Sequence, residues 1–199
     1  MSNQTNSLSD RNQKNLMSTN EEKLTKLSVF QKRADEAAFW EAWTGMTLTR
    51  SGLWVVQHPF DTTENTGKPP SDYSQTWDLD VASYWPDIPD TYWHRLSVEV
   101  KSRTMAYHSV QTYPKPTAFV CSLYSWNKKW PGKSFTQRDF LFVSTKTGAI
   151  VWLPKGSPVE FGNEVFDGEK KQLYKIVITQ KANLRELADF VDYVKEGLW

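Results

Sequence analysis

Residues Arg95 to Arg103 read "RLSVEVKSR", and the interpretation of the whole chain turns on them. Side chains alternate across a β-strand, so Leu96, Val98 and Val100 share one face while Ser97, Glu99 and Lys101 share the other. A carboxylate and an ammonium side by side on a strand form either a solvated ion pair, which contributes only about 0 to 1 kcal/mol, or the polar side of a reactive centre. The neighbouring segments decide between these two.

Upstream, "WDLDV" repeats the arrangement: Trp77, Leu79 and Val81 alternate with Asp78 and Asp80. Two strands joined through the turn at Pro86 to Pro89, paired with their apolar sides together, bring Asp78, Asp80, Glu99 and Lys101 onto a common face. Desolvated carboxylates that face one another repel and shift their pKa values upward unless positive charge stands among them. Oxygen ligands on a rigid strand pair suit Mg²⁺ or Mn²⁺ better than zinc. Glu-x-Lys itself is uninformative, because it also occurs at Glu21 to Lys23 and at Glu169 to Lys171. Only the copy at Glu99 to Lys101 lies within an alternating apolar strand that follows an acidic one.

Charge along the chain agrees with this. Residues 60 to 100 hold eight acids against Lys68 and Arg95, and residues 101 to 155 hold nine bases against Asp139 alone, although the net charge is only +1. An acidic segment followed by a basic one suits a cation site beside a phosphate-binding surface. The 199 residues, with 39% hydrophobic residues and 10 Trp, are enough for one domain with a substantial core. Residues 1 to 20, rich in Asn, Gln and Ser, are expected to be a disordered leader before a single domain spanning 21 to 199. No secretory signal and no apolar run near eighteen residues is seen, so a soluble, intracellular protein that does not enter a membrane is expected. The lone Cys121 has no partner for a disulfide or a thiolate zinc site, and a buried structural thiol is expected.

Periodicity predicts an amphipathic helix from Glu21 to about Trp43, stopping at Gly45. Strands are expected in "MTLTRSGLWVVQHPF", "TWDLDVASY", the opening stretch, "TAFVCSLYSW", "DFLFVST", "AIVWLP" and "QLYKIVI", with a hairpin turn at Lys146 to Gly148 and a loop over "DTTENTGKPPSDYSQ". "TMAYHSVQTYPK" is either a short helix or an irregular loop. Asn183 is a fair N-cap for a closing helix that carries Leu184, Leu187, Phe190, Val191 and Val194. The order implies an α/β or α+β fold with a mixed central sheet covered by helices.

"DLDV" followed nineteen positions after Asp80 by "EVK" resembles the metal-binding core of the PD-(D/E)XK nuclease superfamily, and the preceding helix resembles its first helix. The resemblance covers roughly Ala34 to Arg103 and implies a restriction-endonuclease-like fold. It also implies a phage or mobile-element setting and a Mg²⁺- or Mn²⁺-dependent DNA endonuclease. Asp80 and Glu99, with the carbonyl of Val100, would hold the metal, and Lys101 would orient or deprotonate the attacking water. No proline precedes either aspartate, so the choice between Asp78 and Asp80 stays open, with Asp80 favoured and Asp78 assisting. For a helix-borne carboxylate the first candidate is Glu36 and the alternative Glu41. Cutting both strands of a duplex takes two centres, which is the reason to consider a homodimer. The competing reading is a module that keeps the fold and binds nucleic acid or protein without catalysis.

A second stretch, "YSWNKKWPGKSF", interleaves Trp126 and Trp130 with Lys128, Lys129 and Lys133. Together with Arg103 these are the expected DNA contacts, because ammonium groups neutralise phosphates and aromatic rings stack on unpaired bases. His108 and Gln111, just past Lys101, could line the same cleft. His58, His94 and His108 are too scattered for a metal triad.

Overall fold

The computed structural model describes residues 32, 35–57, 78–83, 95–167 and 172–197. The chain groups into two units, Met1–Glu36 with Phe60–Tyr73 and Ala37–Pro59 with Ser74–Trp199. In the first, the described residues are Lys32, Asp35 and Glu36, all exposed and helical; the rest of this account concerns the second. The expected leader, the loop over "DTTENTGKPPSDYSQ", the Pro86 to Pro89 turn, Trp77, His58 and His94 lie outside the described residues.

Helix α1 (35–50) is followed by β1 (Leu53–Gln57), β2 (Leu79–Ser83), β3 (Leu96–Arg103) and β4 (Thr117–Ser122). Then come α2 (Leu123–Lys129), β5 (Asp139–Ser144), β6 (Ile150–Leu153), β7 (Glu160–Asp167), β8 (Gln172–Gln180), β9 (Arg185–Glu186) and α3 (Leu187–Glu196). Six strands form a mixed sheet in the order β1-β2-β3-β5-β6-β9, and β4-β8-β7 form a second, antiparallel sheet. Only β3 and β5 run parallel within the large sheet. The chain connects them through β4 and α2, a connection long enough for the crossover that parallel strands need.

Alternation in the strands creates two cores. Leu79, Val81, Leu96, Val98, Val100, Leu141 and Trp152 pack beneath Leu48 of α1 and Phe190, Val191 and Val194 of α3. On the opposite sheet face Phe140, Phe142, Val151 and Leu153 meet Val120 of β4, Trp126 of α2 and Val177 of β8. Strand β5 is buried along its whole length, as a strand covered on both faces should be. The mixed sheet flanked by helices agrees with the expected α/β (α+β) class; the second sheet was not expected.

Several local readings are corrected. Helix α1 runs through Gly45 and ends at Gly52, whose φ is +85°. "MTLT" is therefore helical: the hydroxyls of Thr44, Thr47 and Thr49 each donate to the carbonyl four residues back, at 2.8 to 2.9 Å, which accommodates these residues inside a helix. The strand in "TAFVCSLYSW" stops at Ser122, whose hydroxyl accepts from the Ser125 N–H at 3.2 Å and starts α2. The stretch 104–116 is irregular. Asn183 caps nothing; Glu186 and Asp189 form the capping box of α3. Residues Leu184 and Phe190 mimic one helical face but serve opposite cores. Strand β7, "EFGNEVFD", has no clean alternation and is held as an edge by its pairing with β8.

Two expected DNA contacts are structural instead. Arg103 is 9% exposed; it donates to the carbonyls of Ser102 at 2.7 Å, Val120 at 3.2 Å and Phe119, and its guanidinium lies 4.7 Å from the Phe142 ring centroid. Trp126 is fully buried and donates from Nε1 to the Lys133 carbonyl at 2.9 Å. Neither can reach a base or a phosphate. Arg103 ties β3 of the large sheet to β4 of the small one, so Arg103→Ala is expected to lower stability by about 2 to 3 kcal/mol in urea unfolding, through the buried carbonyls it leaves unpaired. The salt dependence of any DNA binding should stay the same; a shallower slope would return Arg103 to the surface contacts.

Candidate active site

Register sets the geometry of the acids. Strands β2 and β3 pair antiparallel with Leu79 opposite Val98, Asp80 opposite Ser97 and Val81 opposite Leu96. Asp78 lies just before β2 and outside this register: its N–H donates to the Val98 carbonyl at 3.0 Å, one residue out of step with the ladder. Because Leu79, Val81, Leu96, Val98 and Val100 are committed to the helix-covered core, the polar residues must project from the other sheet face. Asp80, Ser97, Glu99 and Lys101 therefore share that face, and Asp78, just before β2, interacts with Lys101 and Glu99.

Within this set the contacts are unequal. Asp78 Oδ2 accepts the Val100 N–H at 2.6 Å. Asp80 Oδ1 accepts the Ser97 hydroxyl at 3.3 Å. Glu99 is 3% exposed, and its Oε1 receives two ammonium groups, Lys101 at 2.8 Å and Lys129 at 2.6 Å. Lys129 comes from the last turn of α2, which lies on this side of the sheet. Lys129, grouped by sequence with the DNA contacts, is thus turned onto a carboxylate. Arg138, immediately before β5, interacts electrostatically with Glu99, Asp80 and Asp78.

Helix α1 contributes Glu41, which is 9% exposed and interacts with Asp78, Lys101, Gln57 and Glu99. The first helix candidate, Glu36, is exposed. Five residues are about 140° around a helix, so positions 36 and 41 cannot present their carboxylates to the same target. Glu41 is the helical carboxylate that interacts with the β2–β3 acids.

Burial and mutual repulsion set the protonation states. Burial, with Asp78 next, raises the Glu41 carboxyl from 4.5 to about 7. Burial also raises Asp78, and Glu99 adds to this while Lys101 opposes it. Burial works against ionisation of Glu99 too, but Lys101 and Lys129 outweigh it and hold that carboxyl below its ordinary range. For Lys101 burial favours the neutral amine, yet Glu99 and Asp78 prevail and raise its pKa, so it is an ammonium at all ordinary pH. Cys121 is half-buried beside this group, and burial pushes its thiol up to about 11, which makes it unreactive at neutral pH.

Oxygen donors dominate the cluster, as a hard divalent cation requires. Two buried carboxylate oxygens, Glu41 Oε2 and Glu99 Oε2, have no hydrogen-bond partner among the described residues. Glu41 and Glu99 each keep one such oxygen, and Glu41 and Asp78 have raised pKa values; these are donors of the kind a hard cation takes. Among the described residues no three His, Cys, Asp or Glu side chains are already gathered closely enough to close around one; the Lys101 and Lys129 ammonium groups supply the positive charge at Glu99 Oε1. The buried Asp139 stands apart, its Oδ1 accepting the Trp152 Nε1–H at 2.8 Å and the Lys155 N–H at 3.0 Å.

The remaining expected residues scatter over the surface. Lys128 and Lys133 are exposed, with Lys133 lying 5.8 Å from the Phe135 ring centroid. Trp130 is half-buried against Trp126 and Phe140. His108 and Gln111 are exposed in the 104–116 loop, where the Gln111 carbonyl accepts from Lys181. Sequence reasoning missed Arg138; its signal was its place one residue before the strand that pairs in parallel with β3, with Val98 opposite Asp139. No described helix is long and apolar enough to cross a membrane.

No protein-family model matches the chain, and no curated protein matches it. Among solved structures D212, a nuclease from a fusselovirus, is similar over 78% of this chain and 82% of its own, at 8% identity and a TM-score of 0.33. So loose a likeness gives no residue correspondence and carries no argument here.

Glu41 makes the metal-free protein pH-sensitive. Its folded carboxyl holds a proton more tightly than the unfolded one, so stability falls as pH rises from about 4.5 to about 7, by up to about 3 kcal/mol. Glu41→Gln is expected to remove that slope and to be the more stable protein above pH 7 in EDTA. Parallel stability–pH curves for the two proteins would contradict the burial assigned to Glu41.

Proposed function

We propose that the chain is a divalent-metal-dependent nuclease that hydrolyses phosphodiester bonds in DNA, as an endonuclease of the PD-(D/E)XK type. The supporting observation is the convergence of Asp78, Glu99 and Glu41, from two paired strands and a helix, beside the permanently charged Lys101. Asp78 and Glu99 would hold Mg²⁺ or Mn²⁺, assisted by Glu41 and the Val100 carbonyl. Asp80 takes a supporting part here, because the electrostatic interactions of Glu41 and Lys101 run to Asp78. When bound, the ion neutralises charge on the phosphate oxygens and lowers the pKa of a coordinated water.

The resemblance leaves two roles open to Lys101, orienting the water or deprotonating it. Its ammonium is stabilised by Glu99 and Asp78, so it acts as a donor: it orients the attacking water and offsets the negative charge that grows on the phosphoryl oxygens. Such a donor aimed at developing charge has its largest effect in a water-poor site. Lys129 and Arg138 add positive charge at the same acids and favour the approach of a polyanion. Two such centres in a homodimer would cut both strands of a duplex.

The Glu99–Lys101–Lys129 ion cluster also favours a second reading, a noncatalytic binding module in which the lysines neutralise Glu99 for stability alone. Incubation with supercoiled plasmid and Mg²⁺ or Mn²⁺ separates the two. Nicking is expected for the wild-type protein, with losses of about 100-fold or more in Lys101→Ala and Glu99→Gln. Asp78→Asn is expected to cost more than Asp80→Asn. Equal traces of cleavage in wild type and Lys101→Ala would mark a contaminant and leave the binding module.

A further inference from the structure

A second concavity lies on the far side of α2. Leu123 and Asn127 of α2, Lys133, Ser134, Phe161 of β7 and Lys175 of β8 line an open groove of about 570 Å³. Its aromatic wall is unusual. β7 is the outer strand of its sheet, and its register with β8 slips between Phe161 and Glu164. A bulge of this kind re-aims the side chains beside it. At Gly162 an added Cβ would come within 2.8 Å of the Ile176 side chain, so the backbone packs closely there because the residue is glycine. Phe161, next to it, is left 55% exposed with its ring in the groove.

Charge in the groove is positive. Lys133 and Lys175 line it, and both carry an ammonium able to meet an anion. Asn127 adds an amide able both to donate and to accept. A flat ring, an amide and ammonium groups in one open slot match an unpaired nucleotide: the base stacks on the ring and the phosphate meets the ammonium. A duplex offers no free base face for this.

Helix α2 connects this groove with the candidate active site. Lys129 reaches Glu99 from the end of the helix, while Asn127, about 200° away around the axis, faces the groove. The two sites share one helix as a wall, about 10 Å thick with its side chains. We propose that the groove binds the unpaired strand of a substrate cut next to it, so that the DNA acted on carries a single-stranded segment beside the scissile bond. This rests on the nuclease reading for its biological use, but not for its test.

The test is binding of a fluorescein-labelled oligothymidylate of about a dozen nucleotides, followed by anisotropy with the full-length protein in EDTA, where no cleavage can occur. Binding is expected, weakened about tenfold in Phe161→Leu and retained in Phe161→Trp, as stacking requires. Lys133→Ala should reduce the salt slope by about one unit. Both side chains are exposed and line the groove, and thermal melting checks that the variants fold. Binding that ignores Phe161, or a blunt duplex of equal length bound as tightly with the same Phe161 dependence, overturns the proposal. Oligothymidylate binding with the expected Phe161 dependence but no plasmid nicking would overturn the nuclease reading alone.

Discussion

Like charges cannot be gathered in a water-poor corner without positive charge to hold them. Every feature of the candidate site follows from that constraint acting on Glu41, Asp78 and Glu99. The apolar faces of β2 and β3 are fixed by the core beneath α1 and α3, and their pairing leaves the acids no other side of the sheet. Lys101 and Lys129 answer Glu99, whose pKa falls. Asp78 and Glu41 are answered only in part, so theirs rise. Packing energy from the core thus holds an electrostatic arrangement that the acids alone would not adopt.

The two cores explain where the site lies on the sheet. The helix-covered face of the large sheet is filled by Leu, Val and aromatic side chains. The opposite face is covered by the small sheet and α2 over β5 and β6, where the rings of Trp126, Trp130, Phe140 and Phe142 meet in a row of edge-on and tilted contacts. Toward β2 and β3 that cover gives way to Glu99, Lys101 and the tip of α2. Arg103 marks the border: two residues beyond Lys101 on the same strand face, it is already sealed among carbonyls and rings, and burial draws its pKa down to about 10. The sharp transition from Lys101 to Arg103 separates what can react from what can only pack.

What was legible in the sequence is what short-range alternation records. "DLDV" and "VEVK" declare their faces by period two, and the structure pairs them with the expected sides together. Long-range partners leave no such trace. Nothing in "SWNKKW" says that Lys129 turns inward to Glu99 while Lys128 stays in water, because a seven-residue helix in place of a strand decides it. Thr47 and Thr49 read as strand but are helical, because their β preference is overridden by hydroxyl bonds to the preceding turn. The sequence leaves Glu36 and Glu41 hard to rank, since which residue of a helix faces a sheet depends on how the helix is rotated against it; Glu41 is the one that is buried and interacts with Asp78 and Glu99. Arg103 and Trp126 show the same limit: basic and aromatic residues near a site look like ligand contacts until their burial is known.

The central claim is that Asp78, Glu99 and Glu41 form a cation site. Thermal unfolding of the protein with and without millimolar Mn²⁺ at pH 8 examines it without requiring any substrate. A ligand that binds the folded state alone raises the melting temperature, so a clear upward shift is predicted for the wild-type protein and its loss for Asp78→Asn. A melting temperature indifferent to Mn²⁺, or an equal shift in Asp78→Asn, would contradict the account.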